Sequence, residues 1–276
     1  MMSAQVETRG AVTLTDRLAD AAPAAVEVCN FNVRFSAEVL AVQDASLMVR
    51  PGEFVSIVGP SGCGKTTLLN HAAGLLPAEV CSGIFKVNGR QPREGSHDVA
   101  YMLARDALCP WRTALGNAEL GAEIRGVAAA ERRALARDLL AQVGLAGFEE
   151  AYPKALSQGM RQRVALARTF CLDSPLLLMD EPFGALDAQT KLQLEDVLLS
   201  LWEKTRRTVL FVTHDLSEAV CMSDRVIVMT ARPGRILADV RIDLERPRSA
   251  RSLQKDPRFH ELCGELWAKL EEGMTT

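Results

Sequence analysis

The segment Gly59-Pro60-Ser61-Gly62-Cys63-Gly64-Lys65-Thr66-Thr67 follows directly on the apolar run Val55-Ser56-Ile57-Val58. This is the pattern G-x-x-x-x-G-K-T placed between a strand and a helix, and few arrangements of chain can accommodate it. Glycines 59, 62 and 64 let the backbone wrap closely enough for its N–H groups to point at phosphate oxygens. The helix after the loop adds its positive dipole end. Pro60, Ser61, Cys63 and Thr67 complete the loop expected to carry a nucleotide. Lys65 is expected to reach the β- and γ-phosphates, and Thr66 to offer its hydroxyl to Mg²⁺. The ordinary alternative, a Gly-rich turn that happens to hold Lys-Thr, does not account for the strand before it and the helix after it.

A second apolar run, Leu176–Met179, ends in Asp180-Glu181. A buried strand would deliver Asp180 to the Mg²⁺ edge of such a site, and would leave Glu181 at the mouth to polarise an attacking water. A solvated acidic pair at a strand end is common, so the pair gains its weight from standing downstream of the phosphate loop. A guanine-reading N-K-x-D motif is excluded, because no Asn in the chain is followed by Lys.

Charge is nearly balanced, with 32 basic and 35 acidic side chains in 276 residues, and this gives no electrostatic case for a nucleic-acid partner. No apolar run approaches the ~18 residues needed to span a bilayer. Seven scattered cysteines without C-x-x-C spacing read as free thiols in a reducing, cytosolic setting. Residues 1–24, Ala-rich and polar, read as a mobile leader rather than a signal peptide.

Strands are expected at 26–35, 53–58, 175–179, 208–213 and 226–229, and helices at 66–74 and 188–205. Cys81–Gly89 reads as a hairpin arm ending in Asn-Gly. From about Ala118 to Phe148, apolar spacing near 3.6 marks a helical insert. Phe259, Leu262, Cys263, Leu266, Trp267 and Leu270 describe an amphipathic C-terminal helix with all six on its packing face. His71, His97 and His260 read as structural.

Leu156-Ser157-Gln158-Gly159-Met160-Arg161-Gln162-Arg163 resembles the signature motif of ABC transporter ATPases. Phe183-Gly184-Ala185-Leu186-Asp187 resembles their D-loop, and Val212-Thr213-His214-Asp215 their switch-histidine loop. The match runs from about residue 26 to 240. It implies an α/β fold: a P-loop NTPase (RecA-like) core with a small antiparallel β-lobe and an inserted helical lobe near 105–172. The ATPase domain would cover 25–245, followed by a helical extension over 246–276. The resemblance further implies ATP and Mg²⁺ as ligands, and two copies packed head to tail with each ATP between the phosphate loop of one and the signature of the other. Ser157 and the Gly159 N–H, at a helix start, would be the second anion cradle; alone, a Ser-x-Gly there is an ordinary N-cap. His214 would contact the γ-phosphate and orient water. Phe35 would stack on adenine, although an aromatic at a strand end is commonly core.

Two departures stand out. The Gln that usually follows an aromatic before the Pro-Trp segment falls at Ala104, whose methyl group can neither ligand Mg²⁺ nor hydrogen-bond water, so a slower or more partner-dependent ATPase is expected. Gln158 adds a Cβ beside a phosphate where Gly is usual. Ala107-Leu108-Cys109-Pro110-Trp111-Arg112-Thr113 and Arg232-Pro233-Gly234-Arg235-Ile236 are similar to segments of nitrate, sulfonate and taurine importer ATPases. This implies permease subunits that dock by coupling helices near 104–125, a periplasmic solute-binding protein, and a place on the inner face of the membrane. Trp111 reads equally as a contact aromatic or as core. A regulatory module with little turnover is the alternative function. Translation-control proteins carry two cassettes, and chromosome-maintenance ATPases carry a long coiled-coil insert; neither fits.

Overall fold

The structure, a computed structural model, describes residues 24–275. The strands in order are β1 (Val26–Arg34), β2 (Leu40–Val49), β3 (Phe54–Val58), β4 (Cys81–Val87), β5 (Val99–Met102), β6 (Leu176–Asp180), β7 (Thr208–Val212), β8 (Arg225–Met229) and β9 (Ile236–Arg241). The α-helices are α1 (Lys65–Ala72), α2 (Ala114–Ala118), α3 (Leu120–Ile124), α4 (Ala129–Gln142), α5 (Gln158–Cys171), α6 (Ala188–Thr205), α7 (Leu216–Met222), α8 (Ala250–Leu253) and α9 (Pro257–Thr275). The segment read as a leader lies outside the described residues except for Ala24.

The main sheet has the order β5-β6-β7-β3-β8-β9, parallel except for β9. Strands β3, β6 and β7 are buried throughout, as apolar runs covered on both faces must be. Successive side chains point to opposite faces, and two cores result. Phe54, Leu177, Met179, Val209 and Phe211 join the core shared with α5, α6, α7 and α9. Val55, Ile57, Leu176, Leu178, Leu210 and Val212 join the core shared with α1 and the second sheet. That second sheet is antiparallel, with order β2-β1-β4. Helices α2 to α5 pack on one another around Leu115, Ala136, Leu140 and Leu156, continuous with the first core.

Three strands escape the sequence reading: β2, β5 and β9. Two expectations need correction. Cys81–Gly89 does not form a hairpin with the segment after it; β4 pairs with β1, and beyond the Asn88-Gly89 turn only the Val87–Arg90 bridge forms. In α9, Phe259, Leu262, Leu266 and Leu270 are buried, but Trp267 is 55% exposed and donates to Glu271. At about 100° per residue, Trp267 falls outside the narrower stripe that the four buried residues define.

Glu195, on α6, is 4% exposed, and burial, followed by the negative charge of Glu218, pushes its carboxyl up to about 8. The folded chain therefore keeps a proton that the unfolded chain loses near its ordinary value. Stability then falls as pH rises through that interval, and the whole cost is present above about 8. Glu195→Gln should raise the melting temperature over the parent by roughly 2–5 °C at alkaline pH and bring no gain at acidic pH. Equal gains at both pH values would refute the burial of a proton there.

Candidate nucleotide site

The phosphate loop is built by β3 running into α1. Gly62 and Gly64 hold φ +77° and +101°, conformations that only glycine adopts easily. A Cβ on Gly62 would meet no heavy atom within 4 Å, so its free side faces open space. A Cβ on Gly59 would press on Cys63 Sγ at 2.9 Å and Met229 O at 3.0 Å. Gly64 caps α1 without any side-chain acceptor, which leaves the first N–H groups of the helix available. Lys65 Nζ donates to the carbonyls of Gly59 at 2.8 Å and Pro60 at 3.0 Å, which holds the ammonium across the loop.

Strand β6 brings Asp180 to Thr66, whose Oγ1 lies 3.0 Å from both carboxylate oxygens. Asp180 is 7% exposed, and burial raises its proton affinity; the Thr66 bond and Lys65 oppose this, and Glu181 adds to it. A buried carboxylate and the hydroxyl bonded to it are hard oxygen donors, and they suit a small divalent cation. Glycine-lined amides beside them suit phosphate. The residues present therefore fit Mg²⁺ and a nucleotide.

Glu181 follows at the strand end with φ +45°, a strained conformation for a residue with a side chain. Its N–H donates to Val212 O at 2.8 Å, which ties β6 to β7. This places its Oε2 3.2 Å from His214 Nδ1. A Cβ on Gly184 would stand 3.7 Å from both partners, so the turn after Glu181 packs closely on the pair.

Phe35 follows directly on β1 and is 48% exposed. The Phe35–Val39 turn leads into Ala41 and Val42, which lie against Gly64. Ser157 caps α5, its Oγ accepting the Met160 N–H at 3.3 Å. With Gly159, Phe148, Arg163, Ala185 and Asp187 it lines a cavity of about 550 Å³ that none of residues 59–67 lines. The cavity that Ser157 and Gly159 line is thus a different one from the phosphate loop's.

Ala104 is exposed on the loop after β5 and shares a cavity of about 310 Å³ with Asp106, Gln158, Gln162 and Pro182. Asp106 pairs with Arg161 of the signature helix at 2.8 Å, and Arg168 donates to the carbonyls of Asp106 and Ala107. The sequence reading did not foresee this lock between loop and signature helix. It also missed Gly234, whose N–H donates to Ala41 O at 3.0 Å and whose Cβ, if present, would lie 1.9 Å from Cys63 O. The Pro-Gly of Arg232–Ile236 was the only sign of that contact. The same loop is held from behind, Ala231 N–H donating to Gly273 O in α9 at 2.9 Å.

The family profile of ABC transporters matches residues 42–184. The chain belongs to this family. It is 49% identical over 217 residues, 78% of this chain and 80% of the relative, to an uncharacterised ABC transporter ATP-binding protein, MJ0412, of Methanocaldococcus jannaschii. It is 41% identical over 244 residues, 87% of this chain and 92% of the relative, to the taurine import ATP-binding protein TauB of Rhizobium johnstonii. Among solved structures it resembles the ATP-binding cassette MJ0796, a dimer in a post-hydrolysis state with ADP and Pi. The TM-score is 0.69 at 30% identity, covering 80% of this chain and all of that one. The α/β fold and the ATP-binding role are those of the family. Among the described residues, no helix is long and apolar enough to cross a membrane.

Proposed function

We propose that this ABC protein hydrolyses ATP to drive import of a small anion or organic solute of the nitrate, sulfonate or taurine kind. The observation that carries the reading is the Glu181–His214 pair beside Thr66–Asp180 and Lys65, in a chain so similar to a taurine import protein. In this reading the loop from Gly59 to Thr67 wraps the phosphates, and Lys65 exchanges two carbonyls for phosphate oxygens. Thr66 and Asp180 would hold Mg²⁺, which would supply charge neutralisation to the phosphates. Glu181 accepts a proton from water as its oxygen bonds to the γ-phosphorus and the bond to ADP breaks; His214 orients that water. Phe35 stacks on adenine.

Ser157 and Gly159 serve the nucleotide of a second copy packed head to tail, because their cavity is not reached by their own phosphate loop. A groove lined by Trp111, Arg112, Glu119, Arg133 and Tyr152 receives the coupling helix of a permease, which places the chain on the inner face of the membrane. Trp111, 74% exposed, is available for that contact rather than core. A periplasmic binding protein would deliver the solute. Deleting the chain should abolish growth on taurine, an alkanesulfonate or nitrate as sole source of sulfur or nitrogen; unchanged growth on all three would refute the solute class.

Ala104 favours a second reading, a nucleotide-binding regulator with little turnover. Ala104→Gln restores an amide and should raise basal turnover roughly tenfold, as one added polar contact to the reacting water allows. A parent without turnover that Ala104→Gln also fails to activate would favour the regulator.

A further inference from the structure

Behind His214 lies a charged cluster that touches neither the phosphate loop nor Asp180. Lys191, in the first turn of α6, places Nζ 2.6 Å from Asp215 Oδ2 and 2.5 Å from Glu218 Oε1. The Glu218 side chain is 2% exposed, and its other oxygen accepts the Thr213 hydroxyl. Thr213 Oγ1 in turn accepts the Asp215 N–H at 3.0 Å. Asp215 Oδ1 caps α7 through the N–H groups of Ser217 and Glu218. The residues on both sides of His214 are therefore fixed, while its own imidazole is 63% exposed.

The helix that supplies Lys191 starts at Asp187, which caps it through Gln189 and Thr190 N–H. Asp187 ends the turn that begins at Glu181 and is closed by the Gly184 N–H to Glu181 O at 3.2 Å. Glu181 and His214 thus stand on two segments that meet at the site and are fastened a second time by one ammonium. An exposed pair would contribute little. Here Lys191 is largely covered, and removing it would leave two carboxylates facing each other without a cation, with Glu195 one helical turn away.

We propose that Lys191 is a positioning residue: it sets the placement of the switch-histidine loop against the D-loop helix, and so makes the reach of His214 depend on the D-loop. The proposal rests on the reading of Glu181 and His214 as the pair that handles the hydrolytic water. A D-loop displaced at a subunit interface would carry Lys191, and through Asp215 and Glu218 the backbone on both sides of His214.

The test uses the purified full chain, with MgATP turnover, nucleotide binding and melting temperature measured on Lys191→Met, Lys191→Arg and His214→Ala. Lys191→Met should lower kcat roughly 10- to 100-fold, as a small misplacement of a reacting group does, while KM and nucleotide affinity stay within about twofold. Lys191→Arg should recover most of the loss. In a His214→Ala background, Lys191→Met should cost nothing further, because both changes act through one imidazole. If Lys191→Met does not fold, Lys191→Met with Glu218→Gln removes the charge imbalance and should show the same kcat loss. Additive losses, or a folded variant with unchanged kcat, overturn the positioning role alone. A parent whose turnover ignores His214→Ala overturns it together with the site reading beneath it.

Discussion

Glu181→Gln should bind MgATP as the parent does, hydrolyse it roughly 100-fold or more slowly, and accumulate as an ATP-bound dimer. The substitution keeps the volume and the hydrogen bond to His214 but removes the group able to take a proton from water. No hydrogen bond of the phosphate site is altered, since Lys65 bonds to the loop and Thr66 to Asp180; the lost charge of Glu181 reaches Asp180 only through space. In the head-to-tail arrangement proposed above, the phosphate loop of one copy is joined to the Ser157–Gly159 cradle of another. Blocking hydrolysis should therefore trap the joined state, while the parent passes through it. Single-turnover kinetics with size-exclusion chromatography in ATP would show both effects. A variant with parental turnover would remove Glu181 from the mechanism; slow turnover without a dimer would remove the head-to-tail arrangement.

Gly234→Ala should be strongly damaging, because it adds a methyl group that presses on the loop from outside it. The new carbon would lie 1.9 Å from Cys63 O and 2.9 Å from Met229 Cε. Neither chain has room to retreat: Gly234 is bonded on one side to Ala41 and on the other accepts the Gln43 N–H at 2.9 Å. Pressing on backbone rather than on a flexible side chain typically costs about 1–3 kcal/mol or more. In a chain of this size that is a loss of roughly 2–12 °C in melting temperature. Because Cys63 is part of the loop, nucleotide affinity should fall at least about tenfold with it. Gly264→Ala, whose Cβ would meet nothing within 4 Å in mid-helix, serves as the control and should be neutral or stabilising. Parental affinity in Gly234→Ala would mean that the contact does not shape the loop.

The centre of the fold was legible because β3, β6, β7 and β8 are short apolar runs with no other place than a covered sheet. The missed strands lack that signal. β2 interrupts its alternation with Gln43 and Asp44, β5 has four residues, and β9 is a half-exposed edge. In the site, the loop, Asp180 and Glu181 could be read from local pattern and His214 from its loop's resemblance to the family's, and the structure brings Asp180 to Thr66 and Glu181 to His214. Lys191, Gly234 and the Asp106–Arg161 lock could not. Each takes its meaning from a residue on another element: Asp215 and Glu218, Cys63, and the signature helix. A single sequence carries no mark of such pairs. Trp267 shows the opposite failure, a periodic position that the actual width of the buried stripe leaves in solvent.

The bond from Ala231 to Gly273 has a practical side for anyone handling this protein. The C-terminal helix braces the loop that leans on Cys63, so the nucleotide pocket has a backstop at the far end of the chain. Chains shortened before Gly273 would be expected to purify with weakened ATP binding even though every motif residue is intact. An affinity tag is better attached beyond that turn through a flexible spacer than substituted for it.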